Sequence, residues 1–70
     1  MKYLVIFEKT ETGFSAFCPD LPGCVATGTT REETEQNMKE AVAFHLEGMQ
    51  QEGLGIPKPH SSSAYLEIPA

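Results

Sequence analysis

The sequence has few of the residues that carry enzyme chemistry or bind metals. It contains no tryptophan, two cysteines and two histidines among 70 residues. The cysteines and histidines do not have the spacing of a zinc site, and no glycine-rich phosphate-binding motif is present. We therefore predict no catalytic, cofactor-binding or metal-binding residues, and we expect a protein that is not an enzyme.

Long apolar runs are absent as well. The apolar run at residues 3–7 is too short for a signal peptide and for a membrane span, and charged residues follow it at once. The sequence thus predicts a cytoplasmic protein without membrane contact. Thiols stay reduced in that compartment, so we expect no disulfide bond.

The few cysteines and histidines have structural interpretations. Cys18 and Cys24 flank a Pro/Gly turn and could form a redox pair or half of a metal site, but two small buried apolar residues fit better. His45 lies within an apolar helix stripe. Because no carboxylate or thiol shares its face, a packed histidine is favoured over a proton-transfer residue.

Basic residues are scarce. The chain has five lysine and arginine residues and ten aspartate and glutamate residues, which gives a net charge of −5. This charge opposes direct binding of nucleic acid, which requires cations that neutralise phosphates. The negative charge would attract a basic protein partner. The same charge is equally explained if it only keeps a small protein soluble.

The length predicts one small domain, residues 1–70. A core of this size is expected to leave a stability margin of about 3–5 kcal/mol, and such chains usually need added support. Since neither a disulfide nor a metal is predicted, self-association is the expected support.

Four short apolar segments bounded by turn residues predict β-strands. A polar loop with Gly13 follows the first segment, and a turn containing Pro19, Pro22 and Gly23 follows the second. A loop rich in proline and serine, residues 55–63, precedes the fourth. The predicted strands are residues 2–8, 14–18, 24–28 and 64–68.

A long amphipathic helix is predicted between the third and fourth strands. Thr30 is the expected N-cap, and Glu33, three residues later, completes a capping box. The helix should run to about Glu52, and Gly53 should end it. At roughly 100° per residue, one stripe faces the sheet: Met38, Ala41, Val42, His45, Leu46 and Met49.

These elements predict an α+β fold in the order β-β-β-α-β, an antiparallel three-stranded meander plus a further strand, with one helix on one face. One helix covers only one face of the sheet, whereas the first strand is apolar on both faces. Tyr3, Val5 and Phe7 lie on one face, and Leu4 and Ile6 lie on the other. The uncovered face predicts an interface, either with further copies of the chain in a homodimer or higher homo-oligomer or with a different partner. The interface candidates are Tyr3, Val5 and Phe7.

Acidic and aromatic helix residues are candidates for partner binding. Glu33, Glu40 and Glu47 recur every seven residues, and Phe44 lies at the edge of the apolar stripe. Such an acidic line is often only a solvated surface. Asp20 fits a turn residue that accepts backbone N–H bonds and is a further candidate contact. The open sheet face and the proline-rich loop are competing surfaces.

Three motifs together resemble the HicB family. They are DLPGC at residues 20–24, T-x-x-E at residues 30–33 and FHLEGM at residues 44–49. The resemblance extends from YLVIFEK to the last predicted strand. It implies a HicB-like domain with a partly degraded ribonuclease H fold. It also implies an antitoxin of a type II toxin–antitoxin system, which binds and occludes a small basic HicA-like toxin that cleaves mRNA.

The sequence departs from the family pattern in one respect. Many HicB proteins carry a C-terminal DNA-binding domain, which is not found after the last predicted strand, so direct DNA binding is not expected. An orphan homo-oligomeric interaction module is one alternative function. A remnant RNA-binding or nuclease-fold domain is another, although the carboxylate cluster of active ribonuclease H enzymes is missing.

Overall fold

The computed structural model describes all 70 residues. Three short strands are followed by one helix: β1 (Ile6–Lys9), β2 (Phe14–Phe17), β3 (Val25–Gly28) and α1 (Arg31–Gln51). The strands form an antiparallel sheet in the order β1-β2-β3. The predicted α+β class, the meander and the single helix are confirmed, and the strands are shorter than predicted.

Both ends of α1 follow the local signals in the sequence. The hydroxyl of Thr30 accepts a hydrogen bond from the Glu33 N–H at 3.0 Å, as expected for an N-cap. The Glu33 carboxylate accepts the N–H of Thr29 at 2.8 Å, one residue earlier than in a standard capping box. Gly53 follows the helix with a φ of 75°, a backbone conformation that glycine adopts without steric cost.

The core lies between α1 and one face of the sheet. Phe7, Ala16 and Ala26 are paired across the three strands and share this face. From the predicted helix stripe, Met38 is buried and Ala41, Val42 and Leu46 pack partly against the core. The fully buried apolar cluster consists of Ala16, Cys18, Leu21, Cys24 and Met38.

The fourth predicted strand is wrong for this chain. Residues 64–68 join no sheet, and Leu66 and Ile68 are 78% and 72% exposed. Alternating apolar residues favour an extended backbone, but a strand also requires a neighbouring edge with which to form hydrogen bonds. No segment of the chain supplies that pairing here.

The three predicted interface residues near the first strand pack against the core and do not lie on the open face of the sheet. Tyr3, Val5 and Phe7 are half-buried and pack against the core on the helix side. On the open face, Ile6, Phe17 and Val25 form one row across the sheet, and both Phe17 and Val25 are exposed. Side chains alternate between the two faces along a strand. The predicted interface residues Tyr3, Val5 and Phe7 therefore lie on the helix side of the sheet, and the row of Ile6, Phe17 and Val25 lies on the open side.

Candidate functional site

Three of the predicted partner-binding residues form one surface on α1. Phe44 lies four residues after Glu40 and three before Glu47, and residues at these spacings are neighbours on a helix. Its side chain is 78% exposed. We call this surface the Phe44 patch: Glu40, Phe44 and Glu47. It places an exposed aromatic ring between two carboxylates.

Neither carboxylate of the patch is neutralised within the chain. Glu40 accepts a hydrogen bond from Gln36 at 3.2 Å, and Glu47 accepts one from Gln51 at 3.4 Å. The chain's single ion pair lies elsewhere, between His60 and Asp20. The two negative charges are therefore free to meet a cationic partner.

A groove of about 390 Å³ lies beside the patch, between α1 and β3. We call it the helix–β3 groove. A side-chain carbon built at Gly48 would meet nothing within 4 Å, so glycine leaves this part of the groove open. Its apolar walls include Val25, Ala41, Phe44 and Met49, and His45 also lines it. His45 and Met49 thus border a groove rather than the buried core.

Glu33 does not extend this free acidic surface. Its carboxylate is held by the backbone N–H of Thr29 and, at 3.3 Å, by the Thr29 hydroxyl. Its own N–H is bonded to Thr30. The seven-residue spacing predicted that the three glutamates share one helix face. The Glu33 carboxylate, however, already accepts the hydrogen bonds that cap the start of α1.

Asp20 is buried and anchors a distant part of the chain. Its Oδ2 accepts the N–H of His60 at 2.9 Å and that of Ser61 at 3.1 Å, and its Oδ1 accepts the Ser61 hydroxyl at 2.6 Å. The Ser61 hydroxyl, followed by the His60 N–H, holds the pKa of this carboxyl below its ordinary value. We call these three residues the Asp20 latch.

The predicted role of Asp20 as a backbone N–H acceptor agrees with this geometry, but its donors lie some 40 residues away rather than in its own turn. Because the carboxylate is enclosed by the latch, a partner could reach it only after residues 60 and 61 had moved. No local sequence signal identifies such remote donors.

A second contact holds the same segment. The Tyr3 hydroxyl donates a hydrogen bond to the carbonyl oxygen of Pro57. Burial, followed by the nearby charges of Cys18 and Asp20, raises the pKa of the Tyr3 phenol. Tyr3, near the start of the chain, and Asp20, in the Pro/Gly turn, thus hold the two ends of residues 57–61.

The two cysteines are free and buried. The Cys18 N–H donates to the Cys24 carbonyl at 3.1 Å across the turn. Burial, followed by the proximity of Cys18, raises the pKa of the Cys24 thiol, which disfavours the reactive thiolate. The geometry agrees with packed apolar residues. No group of three or more histidine, cysteine and acidic side chains is arranged to hold a metal ion.

Sequence reasoning did not predict the burial of two central residues. Leu21, within the Pro/Gly turn, is fully buried, although turn residues are usually exposed. Thr34, on the first turns of α1, is also fully buried, and its hydroxyl donates to the Thr30 carbonyl at 2.7 Å. A single apolar residue in a turn, and one hydroxyl within a helix, have no periodic pattern that reveals burial.

Comparison with known proteins identifies the family. A family profile described as "HicB_like antitoxin of bacterial toxin-antitoxin system" matches residues 3–70. The chain belongs to the HicB-like antitoxin family. A protein of Haemophilus phage HP1 is 38% identical over 69 residues, 99% of this chain and 52% of its own length. Antitoxin HicB 2 of Photorhabdus laumondii is 34% identical, over 100% of this chain and 51% of its own.

This HicB-like chain therefore spans about half the length of those two relatives. It covers more of a UPF0150 protein from Synechocystis, which is 42% identical over 80% of this chain and 72% of its own. The family shown by these comparisons is the one that the three sequence motifs indicated.

Solved structures share the fold. A chain of the HicA3 and HicB3 toxin–antitoxin complex superposes with a TM-score of 0.73 at 35% identity, over 86% of this chain and 70% of that one. The HicB3 antitoxin crystal structure gives a TM-score of 0.72 over 86% of this chain and 44% of its own. The three-stranded sheet with one long helix is thus a HicB3-like fold. The helix is not an apolar segment of the kind that crosses a membrane.

Proposed function

We propose that this domain is the antitoxin of a type II toxin–antitoxin system. It binds a small basic HicA-like toxin in the cytoplasm and covers the surface with which that toxin binds or cleaves mRNA. The action is occlusion, and the domain performs no reaction. The observation that carries the proposal is a HicB-like match over nearly the whole chain, together with the likeness to a solved HicA3–HicB3 complex.

The Phe44 patch is the proposed contact surface. Binding energy at protein interfaces is concentrated in a few aromatic or arginine side chains that become fully desolvated. Phe44 is an exposed aromatic side chain flanked by two carboxylates that form no ion pair within the chain. Glu40 and Glu47 would attract a basic toxin and select its orientation.

The helix–β3 groove would receive side chains of the toxin next to this anchor. Gly48 costs about 0.5–1 kcal/mol of helix stability relative to alanine, and no packing contact in the chain requires it. An open groove that accepts a partner residue gives a functional reason for this glycine.

The first test is co-expression with a HicA-like toxin, followed by co-purification and a growth assay. The full chain should co-purify with the toxin and restore growth. A toxin that arrests growth equally with and without this chain, and that does not co-purify, would refute the antitoxin proposal.

The patch is tested separately in the same assay. Phe44→Ala should weaken toxin binding by roughly 30-fold, the effect of losing an interface residue worth about 2 kcal/mol. The double variant Glu40→Lys, Glu47→Lys should also weaken it strongly. Glu8→Lys with Glu11→Lys is the matched control, because it makes the same change in net charge at the β1–β2 hairpin. Equal losses in both double variants would point to a general charge effect rather than the patch.

Self-association is a second proposed property and the basis of the alternative function, a homo-oligomeric interaction module without a toxin. It is favoured by the apolar row Ile6, Phe17 and Val25 on the open sheet face, in which Phe17 and Val25 are exposed and Ile6 is half-buried. A chain that forms a stable oligomer but neither binds nor neutralises a HicA-like toxin would support this function instead.

A further inference from the structure

The C-terminal segment, residues 62–70, makes no hydrogen bonds, and we call it the arm. After the latch at Ser61, no backbone or side-chain hydrogen bond involves residues 62–70. The chain has a radius of gyration of 13.9 Å and a longest dimension of 49 Å. A compact 70-residue domain would have a radius of gyration of about 11 Å, so the chain is elongated.

The arm has the composition of a β-strand that lacks a partner. Ala64, Leu66 and Ile68 alternate with Tyr65 and Glu67, and the apolar members from Tyr65 onward are exposed. No proline lies between residues 60 and 68, so every backbone N–H in that stretch can donate. Unpaired apolar strands of this kind are normally covered in native proteins.

The outer edge of β1 is the complementary feature. β1 pairs only with β2, so its other edge carries unpaired N–H and carbonyl groups. An open groove of about 640 Å³ lies along this edge, and the start of the arm, residues 63–65, forms part of its wall. The arm therefore leaves the latch beside β1 without forming hydrogen bonds to it.

Local charge permits pairing between two copies despite the overall negative charge. Residues 2–9 around β1 carry two lysines and one glutamate, whereas the arm carries a single charged side chain, Glu67. The two segments thus have opposite net charges, and the acidic residues of α1 lie outside both.

We infer that residues 62–68 pair as a strand with the free β1 edge of a second copy, and that the second copy returns its own arm in the same way. This inference deepens the self-association proposed above and rests on it. A symmetric exchange satisfies both free edges at once and closes the assembly as a dimer. Tyr3 and the Asp20 latch hold the base of each arm, so the part beyond residue 61 is the part that is exchanged.

The test uses the full chain, as an equal mixture of a ¹⁵N-labelled, deuterated copy and a ¹³C-labelled copy. Isotope-filtered NMR should show contacts from amides of residues 64–68 in one copy to β1 in the other. Light scattering should give twice the chain mass of 7.7 kDa. The double variant Tyr65→Pro, Leu66→Pro removes two successive N–H groups, one of which must face β1 because successive N–H groups of a strand point to opposite edges. It should halve that mass while α1 remains folded. Ala70→Pro, beyond the paired residues, should leave the dimer intact.

The possible outcomes separate the two proposals. A chain that is monomeric at every concentration overturns both self-association and arm exchange. A dimer that shows arm contacts only within one copy, or that persists unchanged in the double proline variant, overturns arm exchange and leaves self-association in place. An arm that becomes protected only when a HicA-like toxin is added overturns the exchange as well.

Discussion

Ser61 donates its hydroxyl hydrogen to Oδ1 of Asp20 at 2.6 Å, across 41 positions of the chain. The Ser61 N–H bonds the other carboxylate oxygen at 3.1 Å. A carboxylate bonded in this way is a strong acceptor because its charge assists each hydrogen bond. One buried aspartate in the Pro/Gly turn therefore decides where the C-terminal segment leaves the domain.

Asp20→Asn should loosen the C-terminal segment and lower stability near neutral pH. Asparagine offers one acceptor oxygen in place of two and turns an N–H₂ group toward donors, so the contacts to His60 and Ser61 cannot all persist. We expect a lower urea midpoint and faster amide exchange at residues 60 and 61. Unchanged exchange at these amides would contradict the anchoring role of the latch.

The contribution of the latch should depend on pH in a defined direction. The folded-state pKa of Asp20 lies below its ordinary value of 3.8, so the unfolded chain takes up this proton first. Stability from the latch is then fully present above about pH 5 and is lost as the pH falls below 3.8 through the folded-state pKa. The difference in urea midpoint between the native chain and Asp20→Asn should narrow over that range. A difference that is constant down to about pH 2 would contradict this.

Leu21→Ala should unfold much of the protein. Leu21 is fully buried at the centre of the core, and truncation of a buried leucine costs about 2–5 kcal/mol. This cost is comparable with the margin of about 3–5 kcal/mol expected for so small a domain. Far-UV circular dichroism with urea titration measures the loss. Leu54→Ala, at a position 52% exposed, is the matched control and should cost less than about 1 kcal/mol.

Gly13→Ala should destabilise the β1–β2 hairpin, whereas Gly55→Ala should not. A side-chain carbon at Gly13 would collide with the carbonyl oxygen of Gly28 and lie 2.8 Å from the Thr29 Cα, while at Gly55 it would meet nothing within 4 Å. Forced overpacking costs about 1–3 kcal/mol. Urea unfolding measures the free energy of unfolding of both variants. Equal free energies of unfolding would contradict a costly collision at Gly13.

Gly48→Ala should separate stability from toxin binding. The substitution should raise the free energy of unfolding by about 0.5–1 kcal/mol, because alanine favours the helix and its methyl group meets no neighbour. It should also weaken toxin binding by narrowing the helix–β3 groove. Thermal unfolding and a binding titration measure the two effects. A more stable variant with unchanged affinity would exclude the groove as a toxin contact.

The local elements were predictable because their causes are local. The strand segments have apolar residues between turn residues, and α1 begins at Thr30 and is followed by Gly53, as its capping signals indicate. These signals act over three or four residues, the range of a single helical turn or a tight hairpin. The family motifs lie in the same elements, so the HicB-like assignment could also be made from the sequence.

The amino-acid sequence by itself thus determined the three strands, the bounded helix, the negative charge and the family. Only the tertiary structure decided that Leu21 is the centre of the core, that Asp20 holds Ser61, that Tyr3, Val5 and Phe7 face the helix, and that residues 64–68 pair with nothing in their own chain. Each of these depends on contacts between residues far apart in the chain or on the presence of a free strand edge. Local propensity carries no information about such partners, because they are selected by how whole elements pack against one another.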